Sequence, residues 1–147
     1  MSSSSAQALL LLDAQRAHHR ALEDVDPRAA DARLLPWRAA VSQARSQGVL
    51  VVFVQRDGEA GSDLEPLTRG WTLHPDFRVE ERDVLLRVAA NDAFEHSALA
   101  LELRSRGVGH LKVLALPGSA ADAPTRAGAQ RAGFSIIEAA PQLEVQP

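Results

Sequence analysis

Ala8-Leu9-Leu10-Leu11-Leu12-Asp13 is an unbroken apolar run closed by a carboxylate. No polar residue alternates within it, so neither face is set aside for water. Such a run predicts a strand buried on both sides, as in a parallel sheet covered by helices. Val49-Leu50-Val51-Val52-Phe53-Val54-Gln55 is a second run of the same kind, rich in β-branched residues. Between them, Leu34, Leu35, Ala39, Val41 and Ala44 recur at helical spacing. They predict a helix from Ala29 to Gln47 that carries Pro36 only in its first turn and stops at Gly48.

Downstream the alternation continues. Strands are expected over Asp83 to Val88, His110 to Ala115 and Phe134 to Glu138. Helices are expected over Ala93 to Arg106 and Ala120 to Ala132, stopped by Gly107 and Gly133. Strands that alternate with helices imply an α/β fold, a three-layer doubly wound parallel sheet with helices on both faces. Ligands then bind beyond the carboxyl ends of the strands, where the strand order reverses. The stretch from Arg56 to Arg82 carries Gly58, Gly61, Pro66, Gly70 and Pro75 and no clear periodicity. A connection this long is usually functional, so it is expected to form a loop over a site.

The 147 residues suit one domain, 1–147, with residues 1–7 as a flexible N-terminus and 139–147 as a tail. Apolar residues make up 46% and aromatic ones only 4%, so Ala, Leu and Val must supply the core. The net charge of -3, with no Lys/Arg cluster, argues against a nucleic-acid partner. The apolar runs are too short to span a bilayer, and Met1 to Ser5 lacks the positive charge of a signal peptide, so a cytoplasmic protein with no membrane contact is expected. There is no cysteine, which removes disulfides, thiolate metal sites and a thiol nucleophile from this chain.

Asp13 ends a buried strand and, if that strand is central, lies at the switch point, placed to act as an acid, a base or a cation ligand, or merely to cap the next turn. The turn Leu116-Pro117-Gly118-Ser119-Ala120-Ala121 leads a strand into a helix, and its free N–H groups could receive an anion. Ser119 lacks the second glycine of a nucleophile elbow, and His110 falls at the far end of its strand. His18, His19, His74, His96 and His110 show no zinc spacing, and Gly107-Val108-Gly109 precedes a strand rather than following one. No metal and no cofactor are expected.

Together these segments resemble the isochorismatase-like superfamily of cysteine hydrolases, which includes isochorismatases and nicotinamidases. The likeness rests on Leu9 to Gln15 with its Asp-x-Gln, on Val52 to Gly58, and on Gly70-Trp71-Thr72-Leu73-His74-Pro75. Asp92-Ala93-Phe94, Leu103 to Val108, Thr125, Ala129 and Gly133-Phe134 extend it across residues 8 to 140. The resemblance implies a Rossmann-like sheet of order 3-2-1-4-5 and a site built from an Asp, a Lys and a Cys. Asp13 matches the Asp, whereas Val88 falls at the Lys position and Ala121 at the Cys position. A slip of one residue would bring Arg87 to the Lys position, able to pair with Asp13 but not to shuttle a proton. The resemblance further implies a cis peptide at Leu116-Pro117 and substrate contacts from Gln15, Trp71, Phe94, Leu116, Pro117 and Gly118. A metal-binding variant of the family would find only Asp57 and His74 here.

The expectation is thus a hydrolase-family protein without its cysteine nucleophile and lysine, a non-catalytic subunit for ligand binding or assembly. The alternative is an active hydrolase of small amides or enol ethers, with water activated by Asp13. A small-molecule ligand and a homodimer are the expected partners, the dimer because the family's usual sixth strand and last helix do not follow the fifth strand here.

Overall fold

The computed structural model describes residues 6–138. Its elements run β1 (Ala6–Leu11), α1 (Ala17–Val25), α2 (Pro27–Ser46), β2 (Leu50–Arg56), β3 (Val84–Val88), α3 (Leu99–Ser105), β4 (Val108–Leu114), α4 (Asp122–Arg131) and β5 (Ser135–Ile136). The five strands form one sheet in the order β3-β2-β1-β4-β5, and every pairing is parallel. β1 is central, with Leu10 facing Val52 of β2 on one side and Val113 of β4 on the other.

From Ala8 to Leu11 the central strand is apolar because both of its faces are covered there. Leu10 and Leu12 join Val52, Val54, Leu99, Leu103, Leu111, Ala129 and Phe134 in a core under α3 and α4. Leu9 and Leu11 turn the other way, onto Leu34, Trp37 and Val41 of α2 and onto Phe53 and Phe77. Leu10 and Leu11 are both at 0% exposure, and burying each such side chain is worth about 1.5–3 kcal/mol.

Several elements differ from the expectation, each for a local physical reason. β1 begins at Ala6, so Ala6 and Gln7 of the expected flexible N-terminus pair with Val108 and His110. Residues 1–5 and the tail 139–147 lie outside the described residues. α1 was not expected at all, because its one buried residue is His19 rather than an apolar stripe. α1 ends at Asp26, whose side chain accepts from Ala29 N at 3.1 Å and so caps α2, with Pro27 in the first helical position.

α2 then runs for 20 residues straight through Pro36, not just from it. Its buried face is Ala30, Leu34, Trp37, Val41 and Ala44. Pro36 and Ala32 are exposed, so water can take the carbonyl that the missing N–H leaves behind. The expected helix from Ala93 shrinks to α3. Side chains claim its backbone first: Thr125 Oγ1 accepts from Ala93 N at 3.0 Å and Asp92 Oδ1 from Phe94 N at 2.8 Å.

The Leu116–Pro117 bond is trans, since no peptide bond among the described residues is cis. Ser119 N donates to Leu116 O at 3.0 Å, closing a four-residue turn with Gly118 at φ 78°. Trans proline followed by a glycine at positive φ is the ordinary composition of a type II turn.

Candidate functional site

A cleft of about 450 Å³ opens at the carboxyl edge of the sheet. It is lined by the ends of three neighbouring strands and their loops: Leu12 and Asp13 after β1, Arg56 closing β2, and Ala120 and Ala121 after β4. This is where the order reverses, because the chain leaves β1 toward β2 on one side and β4 lies on the other. Ala17 and His18 of α1 and Asn91 complete one side. Gly58, Glu59, Ser62, Asp63 and Leu64, from the long irregular stretch after β2, form the other.

Asp13 is 4% exposed. Its Oδ2 accepts from Leu116 N at 2.8 Å, which ties the end of β1 to the turn after β4. Its Oδ1 lies 3.9 Å from His18 Nε2. Burial lowers the His18 pKa below its ordinary value and outweighs the opposing pull of Asp13, so the imidazole is neutral near pH 7.

Beneath it, His19 is fully buried, with its Nε2 2.7 Å from Asp13 O and its Nδ1 3.2 Å from Arg33 Nη2. The guanidinium can only donate, so Nδ1 accepts and Nε2–H donates to the carbonyl. Burial, with Arg33 and the neighbouring histidines, holds this ring neutral too, despite the hydrogen bond to Asp13 O.

The loop side is held just as firmly. Gln15 is fully buried; its Nε2 donates to Arg56 O at 3.0 Å and Trp71 O at 2.9 Å, and its Oε1 accepts from Arg56 N at 2.9 Å. Gly58 sits where a Cβ would come within 2.6 Å of Ser62 Oγ and 2.7 Å of Leu64 Cβ, so only glycine lets the loop close here.

Of the residues singled out in the sequence, Asp13 and Ala121 meet in this cleft. The remaining ones are placed elsewhere. Val88 is 5% exposed and packs in the core under α3 and α4. Arg87 does not reach Asp13: it pairs with Asp57 at 3.0 Å and stacks over Trp71 at 5.0 Å. Trp71 donates its Nε1–H to Asp57 Oδ1 at 2.8 Å. Burial pushes the Asp57 carboxyl up, yet the hydrogen bonds from Arg87 and Trp71 and the charges of Arg87 and Arg56 prevail and hold it below the ordinary range.

Phe94 packs on Phe134 with ring centroids 5.7 Å apart. Leu116 meets Asp13 through its backbone, and Pro117 and Gly118 are exposed and do not line the cleft. His74 binds Glu23 at 2.5 Å, apart from Asp57. No group of three or more His, Asp or Glu side chains that could hold a metal occurs among the described residues.

Sequence reasoning missed Arg56 and His18. The signal for Arg56 was its place as the last residue of a buried strand next to the central one, and for His18 its distance of five residues from Asp13.

A parallel three-layer sheet with a buried carboxylate at its switch point defines the class as a doubly wound α/β domain with its crevice at the carboxyl ends of the strands. Residues 7–123 match the isochorismatase domain, and the chain belongs to the isochorismatase family. It is 34% identical over 131 residues to a streptothricin hydrolase from Streptomyces noursei, and a second such enzyme of that organism is 34% identical over 132 residues. These matches cover 89% of this chain and 51% and 47% of the relatives, so the chain spans about half their length.

The crystal structure of N-carbamoylsarcosine amidase from Thermoplasma acidophilum shares the fold with a TM-score of 0.74 at 20% identity, over 89% of this chain and 79% of that one. The nicotinamidase of Staphylococcus aureus does so with a TM-score of 0.66 at 14% identity, over 88% and 77%. No helix among the described residues is long and apolar enough to cross a membrane.

Proposed function

We propose that this domain binds a small molecule in the Asp13 cleft without covalent catalysis. One observation carries the reading. The residues that share the cleft with Asp13 from the turn after β4 are Ala120 and Ala121, whose methyl groups cannot attack a carbonyl, while the cleft itself keeps about 450 Å³. With no cysteine in the chain, no thioester can form. The relatives are named as a hydrolase and an amidase, which supports amide-bearing compounds as the ligand class.

The same reading includes self-association. β3 is an edge strand that leaves Leu85 45% exposed, and sedimentation that shows only monomer at high concentration refutes it.

A second reading is favoured by the pairing of Asp13 with His18. A carboxylate 3.9 Å from a neutral imidazole could take a proton from water as its oxygen attacks an amide or enol ether carbon, and return it to the leaving group. Incubation with nicotinamide separates the two. Saturable shifts of the Ala121 and Asn91 amide signals with no ammonia above the solvent rate support binding. Ammonia release that disappears in Asp13→Asn supports hydrolysis.

A further inference from the structure

Arg56 lines a cleft that also holds Asp13, Glu59 and Asp63, yet it makes no ion pair among the described residues. Its backbone is fixed on both sides by the buried Gln15 amide, so the side chain starts from a rigid point at the carboxyl edge of β2. From there it lines the cleft together with Asp13, His18, Asn91 and Ala121. Its Nη1 donates to Asp57 O at 3.1 Å, and no carboxylate lies within ion-pair distance of it among the described residues. Its Nε is buried without a hydrogen-bond partner among the described residues. A buried guanidinium N–H that has no acceptor is destabilising, and the side chain is relieved when an acceptor enters beside it.

We infer that Arg56 is the anchor for a small monocarboxylate ligand, an inference that rests on the proposed binding role of the cleft. The guanidinium presents neighbouring N–H groups in a planar fork that matches the two oxygens of a carboxylate. Arg56 supplies the positive charge that the Lys position cannot, because Val88 is apolar and buried in the core. His18 is neutral and adds no second positive charge. Asp13, Glu59 and Asp63 also line the cleft, so a dianion would meet three like charges against one cation. This balance selects a singly charged carboxylate over a phosphate or phosphonate. The bound oxygens replace the missing acceptor, and the guanidinium turns its Nε edge toward them.

The test is a titration of the protein with benzoate, benzamide and phenylphosphonate, followed by the NMR signals of the Arg56 Nε–H and of the Ala121 and Asn91 amides. These probes share a ring and differ in the charge of one group. Benzoate is expected to bind about tenfold tighter than benzamide and to shift the Nε–H signal, as a charge-assisted pair should. Phenylphosphonate is expected to bind more weakly than benzoate. In Arg56→Gln the preference for benzoate over benzamide disappears, and Arg56→Lys retains only part of it.

Equal binding of benzoate and benzamide by the wild-type protein overturns the anchor and leaves the binding role intact. Tighter binding of phenylphosphonate overturns the choice of a carboxylate. If none of the three shifts the Ala121 or Asn91 signals, the binding role fails and the anchor with it. The wild-type measurements decide the matter even if a variant does not fold.

Discussion

Replacing Gln15 by Met removes a hydrogen-bonding amide from the interior while keeping its length and nearly its volume. Gln15 is at 0% exposure and makes three hydrogen bonds, to Arg56 O, Arg56 N and Trp71 O. Trp71 O keeps a second donor, Gln55 Nε2 at 3.0 Å, so it is not stranded. The two backbone groups of Arg56 lose their partner at the end of β2, where β1 has already finished at Leu11. Each polar group left unsatisfied costs roughly 1–3 kcal/mol, so Gln15→Met should destabilise the domain by about 3 kcal/mol. For a chain of this length that corresponds to a fall in melting temperature of roughly 10 °C.

Urea unfolding followed by circular dichroism measures the free energy, with the m-value checked to be unchanged. The same variant should weaken any ligand preference that depends on Arg56, because the anchor point has been freed. A loss below about 1 kcal/mol would show that water takes over these backbone groups and that the loop is not pinned through Gln15.

Gly128 in α4 faces Asp92, and a Cβ there would lie 2.3 Å from Asp92 Oδ1. Gly128→Ala should therefore cost about 2 kcal/mol despite the better helix propensity of alanine, and adding Asp92→Ala should recover part of it; thermal melts of the single and double variants check this. His18 and His19 both have pKa values lowered from 6.5 by burial, so the unfolded chain binds more protons than the folded one just below that pH. Stability should be full above pH 6.5 and fall as the pH drops toward 5. Urea midpoints across that range should decline, less steeply in His19→Gln, and a flat profile counts against buried neutral imidazoles.

Ala121→Cys places the sole thiol of the chain in the cleft, where iodoacetamide should label it in the native protein; labelling only after unfolding would remove Ala121 from the site. Adding Val88→Lys should not activate that thiol. It should destabilise the fold, because Val88 is 5% exposed and a lysine there brings an unpaired charge into the core; a wild-type melting temperature would contradict this.

The sequence by itself determined the sheet. The order 3-2-1-4-5 came from the family resemblance, whereas β1 and β2 were legible as apolar runs because a strand buried on both faces must be apolar at every position. That requirement is visible in Ala8 to Leu12 and in Val51 to Val54 without knowledge of any contact. The place of Asp13 was legible for the same reason, being the first polar residue after the central strand.

What only the tertiary structure decided are the elements whose partners lie far away in sequence. Asp92 to Ser97 are not helical because Thr125, 32 residues on from Ala93, takes the Ala93 amide. Gln15 holds a backbone 41 residues distant, which no local pattern announces. α1 is a helix because it buries a histidine against Asp13 O and Arg33 rather than an apolar stripe. Arg56 became part of the site in the same way. Local sequence marks it only as a charge at a strand end, and it is the parallel pairing of β2 beside β1 that carries this charge to the cleft of Asp13.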